Sequence, residues 1–308
     1  MIIDLGRKIK MIRPEALSVF PYSNSLFIDD DIRVMIDAGA GGRAYEPIDP
    51  KSIDLLLITH NHFDHVNGIS FFENAQVKVG QEEAAGYSSA EVYSDWAGFT
   101  RWEKLMGYAK EERFSTNVEM PEDVPIKPGF QNVELDGLIK DNDVFDLGTT
   151  KIHALHTPGH SHGHYAFYLE KEGILFSGDI DISPRGPWYG GEHSDFDALV
   201  NSVQRLIELN PRTLVTSHRR LFDGKKEDIT KLLKDYIGIA LEREEMIYNY
   251  LSVPRTIQDI SKQAFASESI EKTVHAEFWT KMMILRHLER LEKQGNIILV
   301  DQDTYVRS

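Results

Sequence analysis

Six consecutive positions, His60-Asn61-His62-Phe63-Asp64-His65, hold three imidazoles and a carboxylate. They follow a short apolar run at 53–58 that reads as a buried strand. A strand that ends in such a loop is a rigid way to bring several nitrogen and oxygen donors to one point. Zinc and related ions take these donors, and a catalytic site leaves one position open for water. One string of this kind supplies only part of a two-metal site, so the remaining donors must come from further along the chain.

The chain contains no cysteine, so any metal must sit on His, Asp or Glu. Three later junctions repeat the pattern of a short apolar strand followed by a donor. Residues 151–155 lead into Thr157-Pro158-Gly159-His160, residues 173–176 into Ser177-Gly178-Asp179, and residues 213–216 into Ser217-His218. A lone histidine is more often structural than a ligand, but four junctions of one pattern are hard to explain as satisfied core polar groups. Asp37 ends a further run at 32–36, just before Gly39, Gly41 and Gly42. It reads either as a turn aspartate or as a group that orients a metal-binding histidine. Strands are also expected at 16–20 and 25–28, and a helix at 195–209.

In type and order, His60-x-His62-x-Asp64-His65, then His160, Asp179 and His218, this chain resembles the metallo-β-lactamase superfamily. It is most similar to the hydroxyacylglutathione hydrolase (glyoxalase II) group and to β-lactamase-like hydrolases with an extra C-terminal domain. The resemblance runs from residue 16 to about 220. It implies an α/β fold, a four-layer αββα sandwich with the site at one edge between two sheets. It also implies that His60, His62 and His160 hold one divalent metal ion, that Asp64, His65 and His218 hold a second, and that Asp179 bridges them. The metals implied are zinc ions, with iron or manganese as alternatives for the same donors. The chemistry implied is hydrolysis of an ester, thioester or lactone-type bond in a small molecule by a hydroxide shared between the metals, with Asp64 and Asp179 as the catalytic carboxylates. The alternatives are a nucleic-acid phosphodiesterase or endoribonuclease and a mononuclear-iron enzyme like the persulfide dioxygenases.

The remainder divides by texture. A catalytic domain is expected over 1–224, with an aromatic-rich insertion at about 80–130 that is expected to be helical at 81–86 and 94–110. Its Tyr87, Tyr93, Trp96, Phe99, Trp102 and Tyr108 line a pocket or form a small core of their own. Arg185 in the Gly- and aromatic-rich stretch after Asp179 is a candidate for a substrate carboxylate or a surface arginine. His162, His164 and His193 are extra imidazoles near the expected site, whereas His153 and His156 read as structural. Residues 225–308 are expected to form a winged-helix-like domain, with helices at 225–251, 256–265 and 278–294 and a hairpin at 297–307.

Net charge is −15, and the last 84 residues carry 13 basic against 14 acidic groups. Nucleic-acid binders usually show a basic surface, so this balance argues for packing, pocket closure or a homodimer contact. No apolar run approaches the roughly 20 residues of a membrane span. The first residues lack the apolar stretch of a signal peptide, which together with the missing cysteines leads to the expectation of a cytoplasmic protein.

Overall fold

The computed structural model describes residues 1–96, 98–110, 119–264 and 274–308. Sheet 1 has seven strands in chain order: β1 (Ile2–Gly6), β2 (Ile9–Ile12), β3 (Ser25–Asp29), β4 (Arg33–Ile36), β5 (Leu55–Leu57), β6 (Gln76–Gly80) and β7 (Gly137–Ile139). Pairing is antiparallel from β1 to β4 and parallel from β4 to β7. Sheet 2 contains β8 (Val144–Asp146), β9 (Lys151–His156), β10 (Tyr165–Leu169), β11 (Ile174–Phe176), β12 (Thr213–Val215) and β13 (Phe222–Asp223), in the order β13-β12-β11-β10-β9-β8.

Alternation along the strands explains the layers, because successive side chains point to opposite faces. Leu26 and Ile28, Val34 and Ile36, and Leu55 and Leu57 face Ile152, Ala154, Phe167, Ile174 and Phe176 between the sheets. The residues between them, Phe27, Met35 and Leu56, turn outward to a second core with Tyr45, Ile58 and Phe72. The short helices α1 (Gly42–Tyr45) and α2 (Phe63–Val66) contribute to that outer layer. On the far face, Ala166 and Leu175 pack under α5 (Phe196–Leu209) and α6 (Ile229–Tyr250). Before them come α3 (Ala90–Trp96) and α4 (Trp102–Met106). The result is helix, sheet, sheet, helix, as the site motifs imply.

The long helices start where the sequence supplies caps. Asp195 accepts from the Ala198 N–H at 2.9 Å, and Asp228 does the same for Lys231 at 2.9 Å. Behind α5, the buried residues Phe196, Leu199, Val203 and Leu206 recur at helical spacing.

The C-terminal part comprises β14 (Arg255–Thr256), α7 (Ile257–Ala264), α8 (Val274–Lys293), β15 (Ile297–Asp301) and β16 (Thr304–Arg307). Its three strands pair as β14-β16-β15. Its apolar side chains join the core beneath sheet 2 without a break, so Ile257, Ile284 and Tyr305 belong to the same cluster as Leu175. A polar seam crosses this core. Glu244 on α6 pairs with Arg290 and with His287 Nδ1 (3.1 Å), and His287 Nε2 lies 2.7 Å from the Tyr189 hydroxyl. Glu244→Ala removes the shared acceptor and leaves a buried imidazole and a cation facing it. The expected loss is about 3–5 kcal/mol, read as a shift in the denaturant midpoint. A loss below about 1 kcal/mol would show that water replaces the carboxylate.

Several local expectations are corrected. Residues 16–20 form a loop of bends rather than a strand. β2 pairs directly with β3, so the connection between them leaves the sheet plane with no partner strand, and Leu17, Val19 and Phe20 stay exposed. The apolar composition there imitates a strand. β1 and β2 are strands that the reading of the N-terminal residues passed over. Residues 94–110 are broken into α3, a single 3-10 turn at Phe99–Arg101 and α4, because Gly98 adopts a left-handed backbone. Residues 81–86 are a turn and a 3-10 segment. The expected helix end at Phe265 lies outside the described residues. No helix among the described residues is long and apolar enough to cross a membrane.

Candidate metal centre

The seven donor residues lie where strands of the two sheets end, five of them on loops and two in the short helix α2. β5 delivers Thr59 and the string after it. His60 and His62 precede α2, whereas Asp64 and His65 lie inside it. A helix turns about 100° per residue, so the two pairs point to different places although they are adjacent in sequence. His160 follows β9, Asp179 follows β11, and His218 follows β12.

The donors fall into two groups. His60, His62, His160 and Asp179 form one, and Asp64, His65 and His218 form the other; within each group the donor atoms lie within 4.8 Å of one another. In the first group, His60 Nε2 and His62 Nδ1 are 2.9 Å apart, and His160 Nε2 lies 3.2 and 3.0 Å from them. Asp179 faces both groups. Its Oδ2 is 3.3 Å from His160 Nε2 and 3.8 Å from His60 Nε2, while its Oδ1 is 3.1 Å from His65 Nε2 and 3.2 Å from His218 Nε2. Asp64 Oδ2 stands 3.4 Å from His218 Nε2.

The opposite nitrogens are tied down. His65 Nδ1 is 2.7 Å from Asp37 Oδ2, and His60 Nδ1 is 3.0 Å from Thr59 Oγ1. His160 Nδ1 meets the Trp188 carbonyl at 3.0 Å, and His218 Nδ1 meets the Ser18 carbonyl at 3.2 Å. Asp37 is fully buried at a left-handed backbone position. It also accepts from the Thr59 N–H at 2.8 Å, so it is both the strand-end turn and the orienting carboxylate. Such contacts fix ring direction and raise donor strength.

Charge follows burial and neighbours. Burial pushes His60 and His160 well below the usual imidazole range, and adjoining imidazoles act in the same direction. Burial opposes charge on His218 too, but Asp179 and Asp64 outweigh it and raise it to about 9. Burial also opposes ionisation of Asp179, yet His218 and His65 hold its carboxyl well below the usual range. The geometry fits cations. Three imidazole nitrogens converge on one another, and they cannot all be hydrogen-bonded to each other, because a ring nitrogen that carries a proton has no lone pair left to accept one. Among the described residues, His65 Nε2 and Asp179 Oδ1 are buried and, although 3.1 Å apart, make no hydrogen bond of acceptable geometry. Ions at the two groups would satisfy all of these atoms, and the donor set of imidazole and carboxylate suits zinc, iron or manganese.

Close packing fixes the loops. Gly178 has φ +56°, and a Cβ there would lie 2.4 Å from His164 Nε2. At Gly39 a Cβ would lie 1.6 Å from the Asp64 carbonyl oxygen and 2.3 Å from Ser23 Oγ. Gly39→Ala must therefore displace the Asp64–His65 turn. We expect at least about 2 kcal/mol of destabilisation and a lower metal content in elemental analysis. Unchanged metal content with unchanged stability would contradict this packing.

The remaining candidates separate. His164 is buried, held down to about 3 chiefly by burial, and its Nε2 accepts from the Asp179 N–H at 3.1 Å. His162 donates toward the Glu82 carbonyl at 2.8 Å, and His193 is near Asp95. His156 contacts the His162 carbonyl, and His153 lies near Glu170. Arg185 is exposed, and its carbonyl accepts from Arg243. The aromatics of the insertion divide between both readings: Tyr93 and Trp96 line a small cavity of about 80 Å³ with His62, His160 and His162, whereas Phe99 and Trp102 pack on Phe278 and Met282 of α8. Ser18, Thr59 and Trp188 were not singled out from the sequence. Two of the three act through backbone carbonyls, which leave no mark on residue type.

An αββα sandwich with a His/Asp cluster at its sheet edge defines a class, the hydrolases of the metallo-β-lactamase fold. The chain belongs to the metallo-beta-lactamase superfamily, whose signature matches residues 19–218. It is 26% identical to the human protein named acyl-coenzyme A thioesterase MBLAC2, across 78% of this chain and 75% of that one. It is also 26% identical to a hydroxyacylglutathione hydrolase from Francisella philomiragia, across 60% of this chain and 57% of the relative. A metallo-beta-lactamase family protein from Thermus thermophilus superposes with a TM-score of 0.76 at 22% identity, covering 99% of this chain and all of that one. At that identity the likeness concerns the fold alone.

Proposed function

We propose that this chain hydrolyses a small-molecule thioester at a two-metal centre, with His60, His62 and His160 holding one ion, Asp64, His65 and His218 the other, and Asp179 between them. The observation that carries this is the placement of Asp179, whose two oxygens face different donor groups. Divalent cations bound there supply Lewis acidity toward the electrophilic carbonyl and make water acidic enough to be a nucleophile near pH 7. The protein's own groups do the rest. Asp37, Thr59 and the Trp188 and Ser18 carbonyls orient the imidazoles. Asp64, beside His218, is the carboxylate placed to hold the proton of the attacking water. His164, neutral and buried, keeps the Asp179 backbone in place. No serine or cysteine nucleophile is required.

Among ester, thioester and lactone substrates, the thioester is favoured by relatives named acyl-coenzyme A thioesterase and hydroxyacylglutathione hydrolase. The helix–strand–helix–helix–strand–strand order of 229–307 supports reading this part as a winged-helix-like unit. Its near-neutral charge favours a role in backing the site over one in holding nucleic acid.

Purified protein assayed on acyl-coenzyme A, S-acylglutathione, ester and lactone panels, with and without chelator, tests the proposal. Thioester turnover that disappears with chelator and returns with zinc is expected. Two firmly held metals with no turnover on any panel would sink it. A single iron per chain with oxygen consumption would favour the mononuclear-iron alternative.

A further inference from the structure

Glu83 lies in the turn after β6, and only 1% of its surface is exposed. Its Oε2 accepts from the Asn61 N–H at 2.7 Å. Its Oε1 accepts from the Ser161 hydroxyl at 2.5 Å and from the Gly163 N–H at 3.2 Å. Asn61 stands between His60 and His62, and Ser161 follows His160. The carboxylate therefore joins the donor loop of sheet 1 to the donor loop of sheet 2, immediately behind the three converging imidazoles. Among the described residues no Lys or Arg lies within 4.0 Å of it; the single ion contact is His162 Nδ1 at 4.0 Å. A buried carboxylate without a basic partner is costly unless other groups use its charge. The turn also closes tightly, since a Cβ on Gly163 would lie 2.5 Å from Glu83 Cγ.

We propose that Glu83 is a positioning residue that sets the spacing of His60 and His62 against His160 and so determines how tightly that half of the centre holds its ion. This rests on the reading that these three imidazoles bind a metal. All three donors to Glu83 are N–H or O–H groups, so the side chain must be an acceptor at both oxygens. Glutamine preserves the shape but turns one oxygen into a donor. That leaves the Asn61 N–H or the Gly163 N–H without an acceptor, and the two loops lose their common anchor. The negative charge close to His62 is lost as well, and with it part of the attraction for a cation.

The test measures zinc affinity by chelator competition, and the visible absorption of the cobalt(II)-loaded protein, for the full chain and three variants. Glu83→Gln should weaken one of the two metal equivalents by about ten- to a hundredfold, the usual cost of losing a partner of the ligand shell, and should alter the cobalt spectrum. Ser161→Ala, which removes one arm, should do the same to a smaller extent. Glu91→Gln, at an exposed position on α3, should change neither. If Glu83→Gln fails to fold, Ser161→Ala decides the matter. The inference is overturned if both variants bind both equivalents with wild-type affinity and spectrum, including the case in which only the melting temperature falls. A wild-type protein that binds no metal would instead remove the reading of the centre itself.

Discussion

Asp179→Asn is expected to lower kcat/KM on thioesters by about a thousandfold or more, equivalent to about 4 kcal/mol of transition-state stabilisation. Asparagine keeps the size of the side chain but carries no charge and presents an amide nitrogen to one of the two donor groups. In the native chain, Oδ2 serves the His60–His160 side and Oδ1 the His65–His218 side, so both halves lose the negative charge and, whichever way the amide turns, one half also loses its oxygen donor. Metal content should fall from two equivalents toward one, and activity should fall with it. The carboxylate is deeply set, with only 12% of its side chain exposed, so water cannot simply replace it. Full metal content with activity within tenfold of wild type would rule out a bridging role for Asp179.

The second large effect is on stability and on the metal together. Asp37→Ala should destabilise the metal-free protein by about 3 kcal/mol or more, because three buried donors lose their acceptor at once and each orphan costs about 1–3 kcal/mol. Those donors are the Thr59 N–H, the Thr59 hydroxyl and His65 Nδ1. The left-handed backbone at Asp37, φ +61°, adds to the cost, since alanine tolerates it less well than aspartate. With His65 released, affinity for the ion in its group should fall by about ten- to a hundredfold. Denaturant unfolding of chelated protein reads the first effect and metal competition reads the second. An unchanged metal-free stability would mean that solvent reaches these donors, contrary to their complete burial.

Asp37 also shows where reading a sequence stops. From spacing alone it was a turn residue or an orienting carboxylate, and the structure makes it both. His162, His164 and His193 could not be ranked either, since all three sit within reach of the expected site along the chain. What separates them is a single contact, the Asp179 N–H on His164 Nε2, made across sheet 2. Glu83 fell in a stretch expected to be helical, and its position behind the imidazoles depends on pairing β6 with the end of β5. Residues 16–20 misled in the other direction. Leu17, Val19 and Phe20 have strand composition, yet they lie exposed beside Ser18, whose carbonyl meets His218.

The linear sequence by itself supplied the seven His and Asp residues at strand ends, because side-chain identity is local information, and the layer order followed only from the resemblance that their type and order carry. The tertiary structure alone decided which oxygen of Asp179 meets which imidazole, which carbonyls hold the rings, and how Glu83 ties two loops together. Those contacts join residues up to 200 positions apart and run largely through the backbone, whose N–H and C=O groups are the same at nearly every residue and so carry no signature until the chain is folded.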